Sequence, residues 1–353
     1  MQSSRQPDLG ATSNQIDLFR PVEKKYRHRG EGHKNARQRR RERHLNVDGV
    51  DYSDVIDLHD LDNNTVSNRS RIRSLPVLTA AALDCTILDP THTRLYEIEG
   101  LSGLRILINA MPRVKQVEWA LRAVHDYSRN PFTNVSNLAQ DRGATKDLWD
   151  KAWRDASDES WKAFHALRWA NVGRHYDWTA REYLNTPDMP PLPSELKQLV
   201  QEVYAVTDMA TCKPGESGIV NFYPAGTMMG GHLDNAEEDM VNPIVSLSLG
   251  TRCIYLQGGF TRDIAPTPIW LQSGDIVIMG GDARRCFHGV PLVTTNLPVD
   301  FQQAIQEFRR SSANIYDTKE IDAFEAYIVS ARININLRRV HNNADTDSEW
   351  NLV

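Results

Sequence analysis

His232 and Asp234 form a HisXaaAsp pair. In an extended segment, side chains two residues apart point to the same face, so this imidazole and this carboxylate can meet one ion. His288 follows 54 residues after Asp234, within a predicted strand, CysPheHisGlyVal. Two histidines and one carboxylate on one face, with coordination positions left open, make the donor set of non-haem Fe(II) oxygenase sites. Taken singly the signals are weak. HisXaaAsp is common by chance, and His288 alone also reads as a hydrogen-bonded core histidine.

The segment 332–338, ArgIleAsnIleAsnLeuArg, alternates strictly. Arg332, Asn334, Asn336 and Arg338 share one face, and Ile333, Ile335 and Leu337 share the other. A polar face with a cation at each end is costly inside a β core unless a partner sits there. A dicarboxylate suits it, because a guanidinium binds a carboxylate through two parallel hydrogen bonds. That points to 2-oxoglutarate, one end chelating the metal and the other meeting an arginine. A solvent-exposed strand face with surface ion pairs is the alternative.

These residues need a β scaffold, and the second half of the chain supplies one. Short apolar runs at 218–223, 243–249, 253–257, 268–271, 275–279, 286–290 and 332–338 are separated by turn signals. That pattern predicts a barrel or double-sheet jelly roll. The stretch 300–330 is helix-like and reads as an insertion before the last strand. Upstream, a strand is predicted at 104–108, with Pro112 opening a helix in which Val114, Val117, Leu121 and Val124 recur at helical spacing. One helix is expected from about 146 to 167 and another from Ser194, as N-cap, to about 206. The run 167–178 lies between helices and mixes aromatic with polar residues. The expected class is therefore α+β, in three parts: a mostly disordered arm over 1–70 with Ile16–Phe19 as a short exception, a helical extension over 71–213, and the jelly-roll core over 214–353, with order beginning near Leu75.

Composition bounds the function. The chain has 353 residues, 40% hydrophobic and 25% charged, as in soluble globular proteins. It has no apolar window long enough for a membrane span, and no N-terminal apolar segment of the secretory kind. Four scattered cysteines without a CxxC read as free thiols of a reducing compartment. The net charge of −5 hides an asymmetry, since residues 21–45 carry +7 and the remainder −12. The basic run 24–43 suits an acidic polymer or an import signal, and a solvated tail is the plain alternative. It favours the nucleus, leaving mitochondrion and cytoplasm open.

Six blocks in order, AsnPheTyr (221–223), GlyGlyHisLeuAspAsnAlaGluGlu (230–238), ProIleValSerLeuSerLeuGly (243–250), SerGlyAspIleValIleMetGlyGly (273–281), PheHisGlyValPro (287–291) and ArgIleAsnIleAsnLeuArg (332–338), resemble the AlkB family of Fe(II)/2-oxoglutarate nucleic-acid dioxygenases. The resemblance covers about 170–340, and 167–178 is most similar to the eukaryotic AlkB homologue 1 branch. It implies a double-stranded β-helix core with N-terminal helices; the mobile basic arm over 1–70 is expected from composition alone and gains nothing from the resemblance. It implies Fe(II) on His232, Asp234 and His288, with 2-oxoglutarate and O2 as cosubstrates. Arg332 would pair with the distal carboxylate of 2-oxoglutarate, helped by Tyr223 and Asn334. Asn221 and Arg338 would serve the end nearer the metal. Trp169 and Tyr176 would belong to a nucleotide-recognition lid, and Arg262 would be a substrate-side cation. Bacterial repair members carry a second acidic residue where this chain has Ala236, which weakens any transfer of their specificity.

The activity so implied is oxidative demethylation of bases in nucleic acid, DNA N6-methyladenine or tRNA N1-methyladenine, releasing formaldehyde, succinate and CO2. The base would be unpaired or flipped. A protein (histone) demethylase or hydroxylase with the same iron site, oxidation of methylcytosine in tRNA, and a non-catalytic nucleic-acid binding module are the other readings.

Overall fold

The last strand, β14 (Ala331–Arg338), is buried at all eight residues. It sits centrally in an eight-stranded sheet covered on both faces. The computed structural model describes residues 16–27, 50–78, 85–129, 132, 147–177, 182–184, 190–224, 226–312 and 315–342. The strand order in the large sheet is β1 (Ile72–Leu75), β2 (Arg94–Ile98), β3 (Leu104–Ile108), β12 (Ile276–Met279), β9 (Ile244–Gly250), β14, β7 (Ser217–Pro224) and β4 (Trp169–Gly173). A four-stranded sheet faces it, ordered β11 (Thr267–Leu271), β10 (Cys253–Gln257), β13 (His288–Val293) and β8 (Met229–His232). A hairpin of β5 (Tyr176–Asp177) and β6 (Glu182–Tyr183) stands apart. Neighbouring strands pair antiparallel throughout. The class is α+β with a jelly-roll core.

Alternation along β14 sorts its side chains between two environments. Ile333, Ile335 and Leu337 enter the large core beneath the helices, alongside Val245, Leu247 and Phe324. Each such buried side chain stabilises by about 1.5–3 kcal/mol. Arg332, Asn334, Asn336 and Arg338 face the small sheet instead, and all four are buried. The exposed-face alternative for this strand is thereby removed. Tyr223, Ile269, Val277, Met279 and Val290 fill the rest of the space between the sheets.

The large sheet's outer face carries α3 (Arg113–His125), α4 (Leu148–Asp155), α5 (Asp158–Ala166), α6 (Ser194–Val206), α7 (Phe301–Ser311) and α8 (Thr318–Ile328). The predicted helix 146–167 is two helices. Ala156 adopts a left-handed conformation (φ 49°) and ends the first. Ser157 caps the second, its hydroxyl accepting the Ser160 N–H. Ser194 and Pro112 each lie one place from their expected roles, since Pro193 and Pro112 occupy the capping positions.

The expected disordered arm is corrected for the residues that are described. α1 (Phe19–Tyr26) packs on the outside of the small sheet through Phe19 and Tyr26, with Val55, Ile254, Leu256 and Leu292. Order thus begins well before Leu75. Residues 50–71, ending in α2 (Val66–Arg71), are tied in singly. Ile56 bridges Ile269, Arg252 binds Asp57, and His59 binds Asp275. No apolar periodicity announces this, because each anchor meets a different distant partner. Residues 28–43 of the basic run lie outside the described residues. The division at 213/214 separates no bodies, since β1–β4 share one sheet with β7, β9, β12 and β14. Among the described residues, no helix is long and apolar enough to cross a membrane.

Candidate active site

The two histidines meet through strand pairing. His232, at the end of β8, is the cross-strand partner of His288, which opens β13. Their rings lie 4.3 Å apart between centroids. His232 Nδ1 contacts the Gly230 carbonyl at 2.9 Å and His288 Nδ1 contacts the Cys286 carbonyl at 3.2 Å. Each Nδ1 therefore donates to a carbonyl, which turns each Nε2 toward the shared carboxylate, where a metal would sit. Both Nε2 atoms lie 3.8 Å from the Asp234 carboxylate. One donor atom from each of the three residues falls within 4.8 Å of the others. Burial and the neighbouring His232 push the His288 imidazole down to about 4, which keeps it neutral. For Asp234, burial acts upward, but Arg338, the two imidazoles and Arg284 outweigh it and hold the carboxyl far below its ordinary range.

The three residues line a cavity of about 240 Å³ between the sheets, shared with Asn221, Tyr223, Arg332, Asn334, Asn336 and Arg338. Arg332 closes one end. It is 2% exposed and donates from Nη2 to Ser248 Oγ at 2.9 Å. Its guanidinium sits 5.2 Å from the Tyr223 ring centroid. Among the described residues, its Nε and Nη1 have no hydrogen-bond partner. A buried guanidinium with unused donors calls for an anion, and a carboxylate entering the cavity would satisfy it. Asn334 is fixed by Nδ2 bonds to Ser246 Oγ and the Leu247 carbonyl, and accepts Asn221 Nδ2 at 3.3 Å. The residues present thus fit a divalent cation beside a keto diacid.

Arg338 lines the same cavity at its metal end, as expected, and there it already meets two carboxylates. Its Nη2 is 3.1 Å from Asp234 Oδ2 and its Nη1 2.8 Å from Glu237 Oε1. Sequence reasoning passed over Glu237, which is 6% exposed and also binds Arg284 at 3.1 Å. Glu237 further accepts the Tyr183 hydroxyl at 2.7 Å. Burial raises the Tyr183 pKa strongly, Glu237 adding to the effect against Arg338, so the phenol keeps its proton. The only signal in the sequence was its place three residues after Asp234.

The three substrate-side residues do not converge. Tyr176 lines the cavity with Tyr183, their rings 5.0 Å apart on the β5–β6 hairpin. Trp169 is instead on β4, paired with Asn221 at the sheet's edge. Arg262 is on the outside of the small sheet, bound to Asp17 at 2.9 Å and to the Gly231 carbonyl at 3.3 Å. A GlyGlyPheThrArg loop gives no hint that its cation will be claimed by a residue 245 positions away.

The family described as the 2OG-Fe(II) oxygenase superfamily matches residues 105–338. The chain is 30% identical over 275 residues to the DNA N(6)-methyladenine demethylase ALKBH1A of Arabidopsis thaliana, spanning 69% of this chain and 76% of that protein. It is 31% identical over 260 residues to the nucleic acid dioxygenase ALKBH1 of Homo sapiens, spanning 69% and 66%. It is 38% identical over 175 residues to the tRNA demethylase abh1 of Schizosaccharomyces pombe, spanning 49% and 53%. The matches thus cover from about half to three quarters of these relatives. The solved structure of OsALKBH1 aligns with 67% of this chain and 96% of its own, at 19% identity and a TM-score of 0.43.

Proposed function

The chain belongs to the 2OG-Fe(II) oxygenase superfamily, among relatives of the AlkB homologue 1 branch, and from that premise we propose that it oxidatively demethylates bases in nucleic acid. Fe(II), 2-oxoglutarate and O2 are the cofactor and cosubstrates of this family; bound together they supply an oxidant that hydroxylates a methyl C–H. The hydroxymethyl group on nitrogen then loses formaldehyde, and 2-oxoglutarate leaves as succinate and CO2. The observation that carries the reading is the pair of unused donors on buried Arg332, in the same cavity as His232, Asp234 and His288.

The chain's own residues would act as follows. His232, Asp234 and His288 hold the metal through neutral imidazoles and an ionised carboxylate. Arg332 binds the distal carboxylate of 2-oxoglutarate, with Tyr223 along its side. Asn221 and Asn334 fix the cavity wall between that end and the metal. Arg338 keeps Asp234 ionised and oriented. Tyr176 and Tyr183 line the cavity with aromatic faces, on which an unpaired or flipped base would pack. Ala236 also lines the cavity, and its methyl group offers no carboxylate to a base edge, so base selection falls to the hairpin.

The test is incubation with methylated DNA and tRNA oligonucleotides, Fe(II), 2-oxoglutarate and ascorbate, followed by nucleoside mass spectrometry. Loss of methyl from N6-methyladenine or N1-methyladenine, absent in His232→Ala, is the expected result. A formyl product on cytosine would move the chemistry to oxidation without demethylation. Turnover on methylated histone peptides alone would overturn the nucleic-acid reading.

A further inference from the structure

The strand that carries His232 has the least support of any at the site. β8 is four residues long and, among the described residues, lies at the edge of the small sheet with β13 as its one strand neighbour. The His232 ring is held by its own strand, through the Gly230 carbonyl. Its side chain is 38% exposed against 8% for His288, so packing fixes it less. The position of His232 therefore follows the backbone of β8.

An edge strand normally leaves its outward N–H and C=O groups without ladder partners. At Gly231, next to His232, both are satisfied by side chains from outside the sheet. The N–H donates to Glu23 Oε2 at 3.0 Å, and the carbonyl accepts Arg262 Nη1 at 3.3 Å. Arg262 is itself pinned. Its Nε donates to Asp17 Oδ2 at 2.9 Å, and its backbone carbonyl accepts the N–H groups of Leu18 and Phe19 at 2.7 and 3.0 Å. Phe19 is fully buried. A Cβ on Gly231 would fall 2.3 Å from its Cε1, and one on Gly258 would fall 2.9 Å from its Cδ2. The ring thus occupies the space that side chains at these two positions would take. It also lies 6.3 Å from the ring of Phe287, the residue before His288.

We propose that residues Asp17–Glu23 are a positioning element of the metal site, acting through the Gly231 backbone to set where His232 stands. Glu23 and Arg262 are its positioning residues, and Phe19 is the wedge that seats them. This rests on His232, Asp234 and His288 being the ligands of a divalent cation. Arg262, expected on the substrate side, takes its role here instead. A segment more than 200 residues away in sequence then controls the metal's affinity and ligand field without touching the metal.

The experiment uses the full chain, freed of metal and titrated with Co(II), whose visible d–d bands report ligand geometry. Wild type, Glu23→Gln, Glu23→Ala and Arg262→Ala are compared, with thermal midpoints taken in the metal-free state. Glu23→Ala is expected to weaken Co(II) binding about tenfold and shift its bands, as loss of a partner behind a metal ligand does. Its metal-free midpoint should stay at the wild-type value, because Glu23 is half-exposed. Glu23→Gln should restore binding, since its amide oxygen still accepts the Gly231 N–H. Unchanged affinity and bands in both Glu23→Ala and Arg262→Ala would overturn the proposal, as would a metal-free midpoint that falls in step with affinity. No Co(II) spectrum in wild type would overturn the metal reading itself.

Discussion

Arg338 stands directly behind Asp234, its Nη2 3.1 Å from Oδ2, both side chains enclosed between the sheets. Glu237 and Arg284 extend this into a buried network of two carboxylates and two guanidinium groups. Such a network orients its members, but desolvation offsets much of its Coulomb energy.

Removing one member is costly because the others stay buried. Arg338→Met would leave Asp234 and Glu237 sharing Arg284. The expected loss is about 3 kcal/mol or more, read as a lower urea midpoint at neutral pH. The sign with pH follows from the carboxyls. Burial raises both, yet the arginines hold both below their ordinary values. Their contribution is present above the unfolded carboxylate pKa and is lost as pH falls through the folded one. The gap between wild type and Arg338→Met should therefore narrow in acid; a gap that widened would contradict the network.

Arg332 is expected to bind 2-oxoglutarate rather than the base. Arg332→Lys keeps a charge but loses the planar pair of donors. A hydrogen bond to a charged group contributes about 1.5–3 kcal/mol, so the 2-oxoglutarate KM should rise about 10- to 150-fold, with little change in the KM for the methylated oligonucleotide. Steady-state kinetics with each varied in turn checks this. An unchanged 2-oxoglutarate KM would remove Arg332 from that site.

The hairpin should be separable from the cosubstrate pocket. Tyr183→Phe keeps the ring and loses the bond to Glu237. We expect kcat/KM for the oligonucleotide to fall about tenfold, corresponding to roughly 1.4 kcal/mol, while the 2-oxoglutarate KM stays level. Equal losses in both would show that Tyr183 serves the whole cavity.

What the sequence disclosed and what it withheld divide along a physical line. Strand β14 was readable because alternation is local, and its polar face suggested an anion site, although its burial was settled only by the structure. The same holds for β10, predicted at 253–257 and found there. Trp169–Gly173 read as a link between helices, because its strand character comes from pairing with β7, 44 to 52 residues away, rather than from its own pattern. Glu237, Tyr183 and the anchors of α1 were hidden for the same reason. A glutamate beside a metal motif looks like any surface glutamate until Arg284 and Arg338 close over it. Arg262 shows the converse case, a cation placed on the substrate side by resemblance whose partner Asp17 lies at the other end of the chain.

His59 offers a test of how firmly the segment before α2 is fastened to the core. Its Nε2 lies 2.9 Å from both oxygens of Asp275, which is fully buried at the turn leading into β12. Burial acts to lower the His59 pKa, and Arg113 adds to that, but Asp275 and then Asp57 outweigh them, so the folded pKa lies above the ordinary 6.5. A histidine raised on folding contributes stability that is fully present below the unfolded pKa and is lost as pH rises through the folded one. Wild type should therefore exceed His59→Gln in thermal midpoint by the most near pH 6, and the difference should shrink as pH climbs from about 6.5 through the raised value. Proteolysis at residues 50–71 should become faster over the same range if the pair holds this segment down. A midpoint difference that grew with pH would mean that neutral His59, not the ion pair with Asp275, is the stabilising form.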